Sequence, residues 1–157
     1  MKKFFSIFFM AVFFCFAFAA CSKTEPPPAD TDDNTTEISE MYLTINSNKL
    51  KVTLAKNSSV DELVTILKQG DITYTADDYG GFEKVGSLGR SITRNDSQIT
   101  TSPGDVILYS GNQIVLFYGS NSWSYTRLGR IEGYTVNQLK ELLGAGEGQI
   151  QVVISLA

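Results

Sequence analysis

The 157-residue sequence predicts a mainly β domain carrying two helices, and three observations support that reading. First, Ser102 to Ile131 packs three strand-like runs and a concentration of large aromatics into one block. Second, apolar residues alternate with polar ones at both ends of the domain, at Met41, Leu43 and Ile45 and again at Ile150, Val152, Ile154 and Leu156, the period of a half-buried strand. Third, helical spacing occurs in only two places, each behind a capping-box pattern.

In chain order, Met41 to Ile45 and Leu50 to Leu54 flank Asn46-Ser47-Asn48 and read as an opening hairpin. Ser59-Val-Asp-Glu62 has the capping-box spacing, and Leu63, Ile66 and Leu67 follow at helical intervals to Gly70, which predicts a helix of about ten residues. Asp71 to Thr75 predicts a third strand, Ala76 to Gly81 a polar, Gly-rich loop, and Phe82 to Val85 a short fourth strand. Gly86 to Ser102 has weak periodicity and two arginines, Arg90 and Arg94, and is expected to be a long irregular loop of the kind that often carries function. Asp105 to Tyr109 and Gln113 to Tyr118 form a hairpin across Ser110-Gly111-Asn112. The second of these strands is apolar at nearly every position and is expected to be buried on both faces. Asp105, after Pro103-Gly104, reads as turn chemistry. Trp123 to Ile131 is the seventh strand. Thr135-Val-Asn-Gln138 repeats the capping pattern, Leu139, Leu142 and Leu143 supply an apolar face, and Gly144 ends the helix. Gly144, Gly146 and Gly148 follow a helix and lack the Lys-Ser/Thr ending of a phosphate loop, so they read as a connection to the eighth strand.

The first forty residues give an address. Lys2 and Lys3 precede an almost wholly apolar run from Phe4 to Ala20 that holds eight of the ten Phe, the pattern of a secretory signal rather than of a membrane span. Phe18-Ala19-Ala20-Cys21 resembles the lipobox of bacterial lipoproteins, which implies lipidation of Cys21 and removal of residues 1–20. Several acyl chains on one cysteine hold a protein firmly, at about 0.8 kcal/mol per buried methylene. Ser22 in the following position implies an outer-membrane destination in the cell envelope. Residues 21–39 contain three consecutive prolines, five acids and one lysine and read as an acidic, partly extended tether. Asn34, Asn57 and Asn95 match the glycosylation pattern by chance. Residues 40–157 form the folded domain.

Composition narrows the chemistry. The domain carries ten basic and twelve acidic residues, which points away from nucleic acid as a partner. Cys15 and Cys21 fall outside it, and the chain has no histidine, so thiol catalysis, a serine-histidine triad and imidazole metal sites are excluded. No metal or other cofactor is expected, and catalysis would rest on carboxylates, Arg, Lys, Tyr or backbone dipoles.

The order of elements, with Gly81-Phe-Glu-Lys84, Pro103-Gly-Asp105, Leu116-Phe-Tyr118 and Tyr125-Thr-Arg-Leu-Gly129, resembles small bacterial cyclophilin-like proteins of unassigned function. The resemblance covers Met41 to Ala157 and implies a closed eight-stranded cyclophilin-like barrel with two capping helices. Closure agrees with how few strands carry edge-protecting charges. Cyclophilins isomerise prolyl bonds with an arginine that polarises the prolyl nitrogen, and the strand that should carry it, Asp71 to Thr75, has none. Tyr125 stands at the histidine position, and Tyr118 and Trp123 match the aromatic floor and the indole.

On the same outer face, the resemblance implies apolar platforms at Tyr118, Trp123 and Tyr125, anion donors at Arg127, Arg90 and Arg94, and a carboxylate at Glu83, a set suited to a peptide or small-molecule ligand. Three readings follow: a non-catalytic binding module, a peptidyl-prolyl isomerase with a rearranged site, and an unrelated enzyme using Glu83 with the arginines.

Overall fold

The computed structural model describes residues 37–156 and forms nine strands and two helices. The signal segment, Cys21 and the tether up to residue 36 lie outside the described residues. Among the described residues no helix is long and apolar enough to cross a membrane.

The strands are β1 (Glu40–Ile45), β2 (Asn48–Leu54), β3 (Ile72–Tyr79), β4 (Glu83–Ser87), β5 (Ser97–Thr100), β6 (Asp105–Tyr109), β7 (Gln113–Phe117), β8 (Ser122–Ile131) and β9 (Ile150–Ser155). The helices are α1 (Ser58–Leu67) and α2 (Val136–Leu142). Eight strands follow one another as β2-β1-β9-β3-β4-β7-β6-β8, and a β2–β8 ladder pairing Val52 with Ile131 and Leu54 with Gly129 closes the ring. Every ladder is antiparallel. Closure leaves no barrel strand with a bare edge. It needs Gly129, because a Cβ there would stand 2.5 Å from the Thr53 carbonyl oxygen.

Alternation sorts the side chains into two clusters. Met41, Leu43, Ile45, Val52, Val106, Leu108, Ile114, Leu116, Val152 and Ile154 fill the barrel interior. Ile107, Val115, Phe117 and Tyr125 form a second cluster, with Phe82, Val85, Ile99 and Tyr109 against it, on the outer face of β4, β7, β6 and β8. This is why Ile114 to Phe117 are all buried, as their unbroken apolar run predicts. The helices close the interior. α1 follows β2 and inserts Val60, Leu63 and Leu67, while α2, which borders the β1–β2 turn at Asn46 and Asn48, contributes Leu139.

Three local expectations are corrected. The α1 cap is Asn57 rather than Ser59: Asn57 Oδ1 accepts from the Val60 amide at 3.1 Å, and Nδ2 donates to the Arg127 carbonyl at 2.8 Å. Ser59 is buried and bonds Asn95 Nδ2, while Glu62 accepts from the Thr93 amide, so the residues of the sequence pattern hold the loop instead of the helix start. β3 runs on to Tyr79 through the segment expected to be a loop. Its polar residues are accommodated because Asp77 faces outward to Gln149 and Asp78 meets Lys84 across the ladder. The long loop contains a ninth strand, β5, which pairs with the first half of β8 outside the barrel. Leu88 and Ile92 from the same loop enter the interior core. α2 keeps the predicted capping box at Thr135 and Gln138.

Candidate functional site

The outer cluster is incomplete as a core, and the gap in it is a groove of about 430 Å³ lined by Tyr79, Glu83, Val85, Tyr109, Gln113, Val115, Asn121, Trp123 and Tyr125. Five strands build it by alternation. Tyr79 stands opposite Glu83 on the β3–β4 ladder, Val85 opposite Val115 on β4–β7, and Tyr109 opposite Gln113 at the β6–β7 turn. β8 supplies Trp123 and Tyr125 from the segment that β5 braces, where Ile99 pairs with Trp123 and Ser97 with Tyr125. The rings interlock edge to face: Tyr125 lies 5.9 Å from Tyr109 and 5.7 Å from Phe117 between centroids. Asn121 Nδ2 donates to the Tyr125 hydroxyl at 2.9 Å, which holds that ring upright.

Glu83 lies deep in this wall at 5% exposure, and its Oε2 is buried with no hydrogen-bond partner among the described residues. Burial among apolar and aromatic groups pushes its carboxyl up to about 7. The rim is open, with Tyr79 at 66% and Trp123 at 56% exposure.

One residue along, Lys84 points the opposite way, into the end of the barrel. Its Nζ donates to Asp78 Oδ2 at 2.8 Å and to the Gly148 carbonyl, while the Gly148 amide and the Tyr118 hydroxyl donate to Asp78. Burial alone would raise the Asp78 carboxyl. The donors from Lys84, Tyr118 and the backbone of Gly146 and Gly148 outweigh it and bring the group down to about 2. Burial and the adjacent Asp78 push the Tyr118 phenol up to about 12.

The predicted site residues therefore divide. Glu83, Trp123 and Tyr125 converge on the groove. Tyr118 belongs to the interior core and the Asp78 network instead, because it falls in step with Ile114 and Leu116 rather than with Phe117. Arg127 shares the outer face, opposite Ile107, but its guanidinium pairs with Asp105. Asp105 also accepts from Arg130 and from the Ser102 amide at 2.9 Å, the turn role its Pro-Gly context predicts. Arg94 is bound to Asp96, and Arg90 is exposed in the β4–β5 loop, outside the groove wall. Tyr79, Tyr109, Gln113 and Asn121 escaped sequence reasoning. Tyr109 was within reach of it, since it is in step with Ile107. Tyr79 was not, because its strand was expected to end at Thr75.

The Cyclophilin-like family model matches residues 43–155. Among solved structures, the hypothetical protein AF2241 from Archaeoglobus fulgidus is similar at 19% identity and a TM-score of 0.56, over 76% of this chain and 95% of that one. McbB, solved in complex with tryptophan, is similar at 16% identity and a TM-score of 0.53, over 73% of this chain and 44% of that one. At such identities the likeness is one of fold. No curated protein matches the sequence. The family match runs from within β1 to the end of β9 and so takes in the second half of β1, all the other strands, both helices and every residue of the groove wall: the chain belongs to the cyclophilin-like family.

Proposed function

We propose that this domain is a non-catalytic binding module for a peptide or small molecule, displayed from the cell envelope by lipid on Cys21 and the acidic tether. The observation that carries the binding reading is the aromatic groove with an unpartnered, buried carboxyl in its wall. Concave, mostly apolar surfaces with one or two placed polar groups suit ligand recognition. The isomerase alternative needs a guanidinium beside a held proline, and among the described residues none lines the groove, Arg127 being engaged by Asp105.

Trp123 is the only tryptophan of the chain and stands on the groove rim, so its fluorescence reports occupancy. Ligands drawn from aromatic amino acids, including the tryptophan seen with McbB, and from short peptides are expected to shift amide resonances from Tyr79 through Val85 and from Asn121 through Tyr125. Shifts confined to other surfaces would count against the groove. Trp123→Ala should weaken such binding about tenfold and leave stability within about 0.5 kcal/mol, because the side chain is half exposed. A protease-coupled assay on proline tetrapeptides should show no acceleration, and acceleration would promote the isomerase reading. Replacing Cys21 by Ser should release the protein from the membrane fraction, and continued membrane association would refute the lipid anchor.

A further inference from the structure

We infer that the groove recognises a protonated amine, with the ligand's ammonium group held at Glu83 among the rings of Tyr79, Tyr109, Tyr125 and Trp123. This rests on the binding reading above and names the chemical class of the ligand.

The charge of the groove is one-sided, Glu83 being the one ionisable acid beside the neutral Gln113, Asn121 and tyrosine hydroxyls among the described residues of the wall. Among the described residues Glu83 Oε2 is an acceptor with no donor, and no Lys or Arg lines the wall. The cations on the strands that build the wall are committed elsewhere: Lys84 of β4 to Asp78 and the Gly148 carbonyl inside the barrel, Arg127 and Arg130 of β8 to Asp105. Asn121 has given an amide hydrogen to Tyr125. The protein thus leaves the carboxyl without a counter-charge in a site where the remaining surface is chiefly aromatic. Ring faces carry negative potential and attract ammonium groups, the more so when water is excluded. An anionic ligand would meet both the carboxylate and the ring faces. A neutral hydroxyl would satisfy Oε2 but leave the charge uncompensated. A primary ammonium does both, donating to Oε2 and neutralising it.

The groups facing Glu83 add no positive charge. Tyr79 lies opposite it on β3, with Asp77 two pairs further along that ladder opposite Val85, and β7 contributes Phe117 and Val115. Tyr109 comes from β6, Tyr125 and Trp123 from β8, and Tyr118 and Tyr125 both feel the Glu83 charge. With its carboxyl raised by burial to about 7, Glu83 is only partly ionised at neutral pH. An ammonium binds the ionised form, so affinity should rise with pH up to about 7 and then level, and binding near neutrality should release a proton.

The test compares phenethylammonium, 2-phenylethanol and 3-phenylpropionate on the full-length protein in mild detergent, by calorimetry and Trp123 fluorescence. The expected result at about pH 8.5 is that the ammonium binds at least about tenfold tighter than the alcohol, with the acid weakest. At about pH 5.5, where the amine is still charged but Glu83 is protonated and neutral, that preference should disappear. Glu83→Gln, which keeps the shape, should remove the preference seen at about pH 8.5 and leave the alcohol's affinity within about twofold. Equal binding of ammonium and alcohol by the wild type, tighter binding of the acid, or a preference unchanged by pH would overturn the amine inference while leaving a ligand groove in place. Absence of both heat and fluorescence change for all three probes on folded protein would overturn the amine inference and count against the groove reading itself. The pH arm needs no variant, so a poorly folding Gln form would not protect the inference.

Discussion

Glu83, which is buried, and Asp78, which is half-buried, are carboxyls on neighbouring strands whose pKa values shift in opposite directions, because Asp78 receives donors from Lys84, Tyr118 and Gly148 while Glu83 Oε2 receives none among the described residues. Each makes stability depend on pH with its own sign. The Glu83 pKa is raised in the fold, so below about 4.5 the group is neutral both folded and unfolded. Between about 4.5 and about 7 the unfolded chain ionises first and stability falls, by about 3 kcal/mol in all, and above that the penalty is constant. The stability difference between wild type and Glu83→Gln, read from urea midpoints, should widen in favour of Gln across that window and nowhere else. The Asp78 pKa is depressed, so its contribution is complete above about 4 and is lost as pH falls toward about 2. Removing it also strands Lys84, which has no exposed surface. Asp78→Ala should therefore destabilise by about 3–5 kcal/mol, and adding Lys84→Met should recover part of that loss, since the penalty lies in the unpaired charge. A double-mutant cycle with simple additivity would show that the pair is uncoupled.

At the scale of elements, the hairpins and helices follow local rules and the irregular parts follow their neighbours. The β1–β2 turn places Asn46 and Ser47 at φ 48 and 66, both in the left-handed region that a two-residue I′ turn demands. Ser47 is a poor occupant, so Ser47→Gly should stabilise the protein by about 0.5–1 kcal/mol in thermal unfolding. Asn57 caps α1 and also ties it to β8 through the Arg127 carbonyl, and Asn57→Ala should cost about 1–2 kcal/mol, more than a cap alone. Asn95 acts alike, its Nδ2 donating to the Ser58 and Ser59 hydroxyls and so fastening the loop before β5 to the start of α1. β5 was invisible in sequence because Ser97 to Thr100 are largely exposed and only Ile99 is apolar. Its strand conformation comes from pairing with β8, and that pairing braces the half of β8 carrying Trp123 and Tyr125.

At the scale of the molecule, ring closure makes two environments from one set of alternating strands. The interior takes one parity of each strand and is sealed by α1 and α2, while the outer parity is covered on one side by the second aromatic cluster and its groove. The seam where the ring closes is β2 against β8, and it depends on Gly129. A side chain there would collide with the Thr53 carbonyl and with Cγ1 of the fully buried Val52, neither of which can readily give way, so Gly129→Ala should destabilise the whole barrel by about 2 kcal/mol or more. Amide exchange should then show β2 and β8 losing protection together with the rest of the ring, since a closed barrel has no edge from which to fray.

Local chemistry by itself determined the strand and helix inventory to within one strand, because alternation, capping boxes and glycine stops are written in neighbouring residues. It also determined what the domain lacks, with no histidine or cysteine between residues 40 and 157. The family resemblance led to the closed ring. Tertiary structure decided which aromatics share a surface. Tyr118 and Tyr125 look alike in the chain, yet one turns inward to Asp78 and the other outward to Tyr109, because a one-residue change of register reverses the face. It likewise decided that Glu83 and Lys84, adjacent and of opposite charge, never meet: successive residues of a strand point to opposite sides of the sheet, so each finds, or lacks, its partner in a different part of the molecule.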